Sequence, residues 1–253
     1  MKNLQVVYDN HLLFLLQKFF FVLDYMLVVN MKLKSYENLH ETFLVLIFIT
    51  LAGGFQDAYS YLMRGKVFAN AQTGNIVLLF KNIVDLNFKE SIAYLIPVLS
   101  FVLGVYVAVR FEDAIEKRVL HWRQYIIGFE IIIMLVVAMI PENLNNLANA
   151  LLSFSCAMQV YSFKKIYGLS FATTMCIGNL RSATENLSKY HITRQDVYLE
   201  NAKKYYAVIF VFGMGAALGY LTSNRLGFKS ILIAAGLLTI SFFILFLEDR
   251  GDI

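Results

Sequence analysis

The chain has 253 residues, 58% of them hydrophobic and only 16% charged, against about 25% charged in an ordinary soluble domain. A mean hydropathy of +0.60 and only two prolines exclude a loop-rich soluble enzyme and point to an integral membrane protein. The net charge of +4 is too small for a nucleic-acid surface, and Lys and Arg fall between the apolar runs, where they read as topology signals.

The N-terminal residues 12–29 are apolar but carry Gln17, Lys18 and Asp24, which suits either an extra helix or a signal-like segment. Met31-Lys32-Leu33-Lys34 has the pattern of a natural start just before the first clear span, so residues 1–30 read as an upstream extension. The expected division is an N-terminal extension over 1–40, a first membrane unit over 41–140, a second over 141–248 and a tail over 249–253.

Six segments are long enough to cross a hydrocarbon core of about 30 Å at 1.5 Å per residue. They are 41–63, 92–111, 125–140, 144–163, 205–223 and 228–247. In the third, Trp122 and Tyr125 extend a short apolar run into the interface. Two further segments, 67–84 and 169–188, are interrupted by Gly and polar residues. The apolar part of the first of these covers only about 16 Å, half a bilayer.

One polar pattern is written twice. Phe55-Gln56-Asp57, Gly65, Phe68-Ala69-Asn70 and Thr73-Gly74-Asn75 return as Met158-Gln159, Gly168, Phe171-Ala172-Thr173 and Ile177-Gly178-Asn179. A period near 103 residues is too long for a solenoid unit and predicts a duplicated half-protein. If neither interrupted segment crosses, fourteen Lys and Arg fall on one face and six on the other. The positive-inside rule then places both termini in the cytoplasm. Three spans per unit make the two units inverted relative to each other. The predicted fold is an all-α integral membrane protein of about six transmembrane helices plus two short half-helices, in two pseudo-symmetric, inverted repeats.

Polar residues at such positions are the candidate working parts. Asp57 lies roughly 7 Å from the middle of the first span, where a carboxylate costs about 2.5–3.5 kcal/mol on insertion scales. It reads either as a proton- or cation-responsive group or as a structural partner of Arg181 or of backbone donors. Gln56 and Gln159 flank the same place in the two copies. Each alone reads as an interhelical hydrogen bond, worth about 0.6–2 kcal/mol. Thr73-Gly74-Asn75 opens the first half-helix, where Thr and Asn are expected to cap free N–H groups and the positive helix end to face the membrane interior. Gly178 and Asn179 are the counterparts, with Ile177 in place of Thr73. The candidate solute-binding set is Gln56, Asp57, Asn70, Thr73, Gly74, Asn75, Gln159, Gly178, Asn179 and Arg181.

Arg181 and Glu185 have i,i+4 spacing and are expected to pair with each other, the alternative being Arg181 against Asp57. Glu130 is read as sitting near the edge of its span and snorkelling to the interface. Gly213, Gly215 and Gly219 form a small-residue face suited to close packing, against Gly104 and Ala108 or in a homo-oligomer.

Enzyme signatures are absent from the sequence. His11, His40, His121 and His191 lack metal-ligand spacing, and neither a nucleophile elbow nor a phosphate loop occurs. Asp57 is the only aspartate well inside the spans, which disfavours a two-aspartate intramembrane protease. Cys156 and Cys176 lie in apolar segments and do not make a disulfide framework. The reading is therefore of a non-enzyme with no cofactor and no metal.

The stretches Ala52-Gly53-Gly54-Phe55-Gln56-Asp57-Ala58 and Val67-Phe68-Ala69-Asn70-Ala71-Gln72-Thr73-Gly74-Asn75 resemble the YoaK-like family of bacterial inner-membrane proteins, a domain-of-unknown-function family. The resemblance runs from Glu41 to Leu247 and is weaker in the second copy, where Cys176-Ile177-Gly178 departs from the family's Thr-Gly. It implies a multi-pass inner-membrane protein and supplies no substrate. Transport of a small polar or ionic solute is the expected function, with the lipid bilayer as the other partner. A non-transporting scaffold or accessory subunit is the alternative.

Overall fold

The computed structural model describes residues 43–115, 122–166 and 169–249. The predicted N-terminal extension, its Met31 boundary and the repeated Gly168 lie outside the described residues. Helices dominate the rest. Helix α1 (Phe43–Met63) is apolar until Gln56 and Asp57, and stops where Gly65 (φ 82°) and Lys66 (φ 59°) turn the chain back. Helix α2 (Gln72–Val84) follows a short extended stretch, and Leu86 (φ 58°) turns it into α3 (Phe88–Ile115). Helix α4 (Trp122–Val137) ends ahead of Pro141, which cannot continue a helix by donating its N–H. Helix α5 (Asn145–Ser162) leads to a hairpin that pairs Lys165–Ile166 with Leu169–Ser170. Helix α6 (Cys176–Thr193) closes on Arg194 in the left-handed region. Helix α7 (Asp196–Leu226) is broken from α8 (Ile231–Asp249) by Gly227 at φ 58°, a conformation open to glycine.

Among the described residues, three stretches are long and apolar enough to cross a membrane: Leu44–Met63, Phe88–Ala114 and Asp196–Phe246. The last, 51 residues long, contains the Gly227 turn and so comprises both α7 and α8. Helix α2, with 13 residues, is about 20 Å long and cannot cross a core of about 30 Å unaided. Each predicted segment overlaps a helix. The largest differences in bounds are α7, which begins nine residues before 205, and α6, which begins seven residues after 169 and ends five after 188.

Packing crosses between the two copies of the polar pattern. Helix α1 packs chiefly on α7 and α8, whereas α5 packs on α3 and α4. Two of the close approaches sit at matching positions. A Cβ on Gly215 of α7 would collide with the carbonyl of Leu51 on α1, and a Cβ on Gly104 of α3 with the carbonyl of Phe154 on α5. Leu51 and Phe154 are separated by the same 103 residues as Gln56 and Gln159. Gly219 likewise meets Phe55 of α1, so Gly215 and Gly219 are occupied inside the chain, and of the three glycines only Gly213 faces open space.

Large apolar residues remain exposed along the outer helices. In α3, Leu99, Val102, Leu103 and Tyr106 are all more than half exposed. The fully buried positions include polar side chains as well: Gln56, Arg64, Asn70, Asn75, Glu130, Asn149, Ser153 and Gln159. The chain thus carries apolar groups outward and hydrogen-bonded polar groups inward, the arrangement expected in lipid.

Candidate functional site

The two repeated glutamines meet at one carboxylate. Gln56 Nε2 donates to Glu130 Oε1 at 2.8 Å. The Gln159 amide, assigned with its nitrogen toward the carboxylate because the other orientation sets oxygen against oxygen, donates to Glu130 Oε2 at 2.7 Å and Oε1 at 3.1 Å. Thr173 Oγ1 lies 3.4 Å from the other end of that amide. Glu130 is fully buried. The expectation that it snorkels to the interface is therefore wrong. Its helix begins at Trp122, which makes Glu130 the ninth of 16 residues, at the centre of the helix.

Asp57 stands one residue along α1 and is 7% exposed. Its Oδ1 accepts the backbone N–H of Asn70 at 2.8 Å, and the N–H of Ala71 also points to it. The positive backbone end in front of α2 is thus met by the chain's own carboxylate. Asn70 Nδ2 donates to Gly53 O at 2.9 Å, and Ser60 Oγ accepts the N–H of Ala69. The stretch from Ala69 to Ala71 is therefore fastened to α1 through Asp57, Ser60 and Gly53. In the second copy Val160 takes the position of Asp57 and no carboxylate is present there.

Asn75 and Asn179 have one shared role, and it is not the expected cap. Asn75 Oδ1 accepts the N–H of Phe68 (3.1 Å) while Nδ2 donates to the carbonyl of the same residue (2.7 Å). Asn179 grips Ala172 in the same two-point way, at 3.0 and 2.7 Å. Each amide clips the backbone seven residues upstream and folds the loop onto its half-helix. The structure corrects the capping expectation, because neither α2, which starts from Ala71, nor α6, which starts from Met175, has a side-chain cap. Thr73 falls inside the first turn of α2 and is exposed. Gly74 lies against the ring of Phe68, and Gly178 has open space around it.

The loops also cross over. Ser153 Oγ on α5 donates to Ala69 O at 2.8 Å in the first loop. In the second, Thr174 Cγ2 lies 2.9 Å from where Gly53 on α1 would carry a Cβ, and Cys156 Sγ donates to Thr174 Oγ1 at 3.7 Å. Gln56 and Gln159, with Thr173 behind the latter, thus gather at Glu130, and Asp57 and Asn70 hold the first loop next to Gln56 on α1.

Arg181 does not join it. Its Nε bonds Glu185 Oε1 at 2.7 Å, with the Arg181 side chain 80% exposed. The i,i+4 pairing holds and the approach to Asp57 does not occur. The pair holds the Glu185 carboxyl below its ordinary range through the Arg181 hydrogen bond and charge.

Arg64, counted in the sequence only as a topology signal, is fully buried. It donates to the carbonyls of Val137 (2.8 Å) and Ile140 (2.9 Å), to Asn145 Oδ1 (3.2 Å) and to Tyr59 Oη (3.0 Å), and lies 4.3 Å over the Phe228 ring. It closes the C-terminal end of α4 and ties it to α1, α5 and the α7–α8 turn. Its position just past an apolar helix was a legible signal, but apart from Tyr59 its hydrogen-bond partners are distant in sequence.

No group of three or more His, Cys, Asp and Glu suited to a metal occurs among the described residues. A cavity of about 550 Å³ bordered by α3, α4, α5 and α8 is almost wholly apolar, with Val107, Phe111, Phe129 and Met158 in its wall. Comparison with curated proteins and with solved structures gave no match. A family model described as protein of unknown function (DUF1275) matches residues 45–244, and the chain belongs to that family.

Proposed function

We propose that this chain is a multi-pass bacterial inner-membrane protein of the YoaK-like type that transports a small polar or ionic solute by alternating access. The observation that carries the reading is the convergence of Gln56 and Gln159, from matching positions in the two copies, on the buried carboxylate of Glu130. Such a group is costly in an apolar interior and is characteristic of solute or ion pathways.

In this reading six helices span the membrane and α2 and α6 are half-helices, arranged as two inverted repeats with cytoplasmic termini. The crossed packing of α1 on α7 and α5 on α3, the matched Gly215–Leu51 and Gly104–Phe154 contacts, and the two identical asparagine clips support it. The exposed face of α6 changes from Ile177 and Leu180 to Arg181 and Glu185, which suits a segment that leaves the membrane interior for water. The solute site is the polar centre itself: Gln56, Asp57, Asn70, Gln159 and Thr173 around Glu130. Asp57 couples the first loop to α1, while Asn75 and Asn179 keep each loop rigid with its own half-helix. Alternating access is then a rocking of one set of helices against the other about this centre.

The test is flux in proteoliposomes. Asp57→Asn and Glu130→Gln are expected to abolish solute movement while the purified proteins keep their elution profile and melting temperature. A second reading, a scaffold whose polar groups only lock helices, draws on the complete structural use of Asn75, Asn179 and Arg64. It requires that the same two variants lower the melting temperature and that wild-type protein moves no solute.

A further inference from the structure

The hydrogen bonds around Glu130 leave one unmatched group. Gln56 Oε1 is buried and without a partner, although Gln56 Nε2 on the same amide carbon donates to Glu130 Oε1 at 2.8 Å. The orphan acceptor therefore adjoins the carboxylate. An unmade hydrogen bond at a buried acceptor costs about 1–3 kcal/mol, so a site that keeps one favours a state in which a donor arrives.

We propose that Glu130 is a proton-binding site whose loaded form is held by that orphan oxygen. The carboxylate takes one proton from water, an O–H bond forms, and the local charge goes from −1 to zero. The O–H forms on Glu130 Oε2 and donates to Gln56 Oε1, while Gln56 Nε2 keeps its bond to Oε1, so acid and amide pair at two points. Gln159 keeps its 3.1 Å bond to Oε1. Its bond to Oε2 gives way to the new O–H···O bond, and no electrons move. A metal cation fits less well. Hard cations take about six or more oxygen ligands. Here three N–H···O bonds already occupy both carboxylate oxygens, and the unmatched oxygens of Gln56 and Asn70 are too few for such a shell.

The groups that face this carboxylate are few. Helix α1 brings Asp57 beside Gln56, and α5 brings the buried Cys156 beside Gln159. Helix α3 has its nearest acidic residue, Glu112, engaged by Tyr161 Oη, and α8 has no titratable residue from Ile231 to Phe246. No cationic side chain among the described residues hydrogen-bonds Glu130, so charge on it is relieved by protonation. The inference deepens the transport reading by making the proton the coupled ion, but its test does not need flux.

Infrared pH-difference spectra of the full chain in lipid read the site directly. Acidification is expected to raise a carboxylic C=O band that Glu130→Gln removes and Asp57→Asn leaves. Gln56→Ala, which deletes the acceptor, is expected to shift the frequency of that band. If Glu130→Gln fails to fold, the Gln56→Ala shift decides. An unchanged band in Gln56→Ala, a band that survives Glu130→Gln, or no band in wild type overturns the proposal. Loss of the band with solute flux intact removes the proton site and leaves transport. The band without flux removes transport and leaves the proton site.

Discussion

Replacing Asn75 by Ala or Asp separates a structural amide from a solute ligand. The wild-type amide offers an acceptor at 3.1 Å to the N–H of Phe68 and a donor at 2.7 Å to its carbonyl, and donates also to Gln72 Oε1 at 2.9 Å. Asn75 is fully buried, so water does not replace it. Alanine orphans two backbone groups at about 1–3 kcal/mol each, or roughly 2–6 kcal/mol in all. Aspartate keeps the acceptor but sets a second oxygen against the Phe68 carbonyl and buries a carboxyl, so it is expected to be at least as damaging as alanine despite its matching shape. At about 2–4 °C per kcal/mol for a chain of this size, the melting temperature drops by roughly 4–24 °C. The assay is thermal unfolding in detergent followed by the fluorescence of Trp122, the single tryptophan. Asn179→Ala, which frees Ala172 in the same way, is expected to fall by a similar amount. An Asn75→Asp protein as stable as wild type refutes the clip.

Other outcomes follow from the same geometry. Gly215→Ala and Gly104→Ala force a Cβ into a facing carbonyl and are expected to cost about 1–3 kcal/mol each, whereas Gly213→Ala leaves the melting temperature unchanged. Equal stability of Gly104→Ala and wild type would count against the matched packing. Arg64→Met strips the carbonyls of Val137 and Ile140 of their donor and is expected to lower stability by about 2–4 kcal/mol, read in the same unfolding assay. Arg181→Ala breaks only an exposed pair and is expected to change neither stability nor flux.

The helices were legible because the apolar runs are long and bounded by Gly, Pro and charge. The repeated polar pattern was legible too, and it located Gln56, Asp57 and Gln159 in the buried centre. Three things were not. Glu130 stands at the start of an apolar run that favours an edge position, and Trp122 and Tyr125 have the look of interface residues rather than of the first turn of α4; counted from Trp122, Glu130 falls at mid-helix. Asn75 and Asn179 look like caps because the sequence shows them at a helix start, but their amides reach back seven residues to a backbone only the folded loop brings near. Arg64 has partners 73 to 81 residues away, beyond any local pattern. Exposure of Thr73 and Arg181 follows from which side of a half-helix faces outward, and a short polar helix has no strong apolar stripe to reveal that.

The most direct measurement is solute-driven change of internal pH and membrane current in proteoliposomes bearing the purified chain, with small inorganic ions, amino acids and carboxylic acids supplied in turn. Wild type is expected to respond to at least one class of solute, Glu130→Gln and the Gln56→Ala/Gln159→Ala pair to lose that response, and Arg181→Ala to retain it. A wild-type signal equal to protein-free liposomes across the whole set, or a response undiminished by Glu130→Gln, would contradict the transport reading.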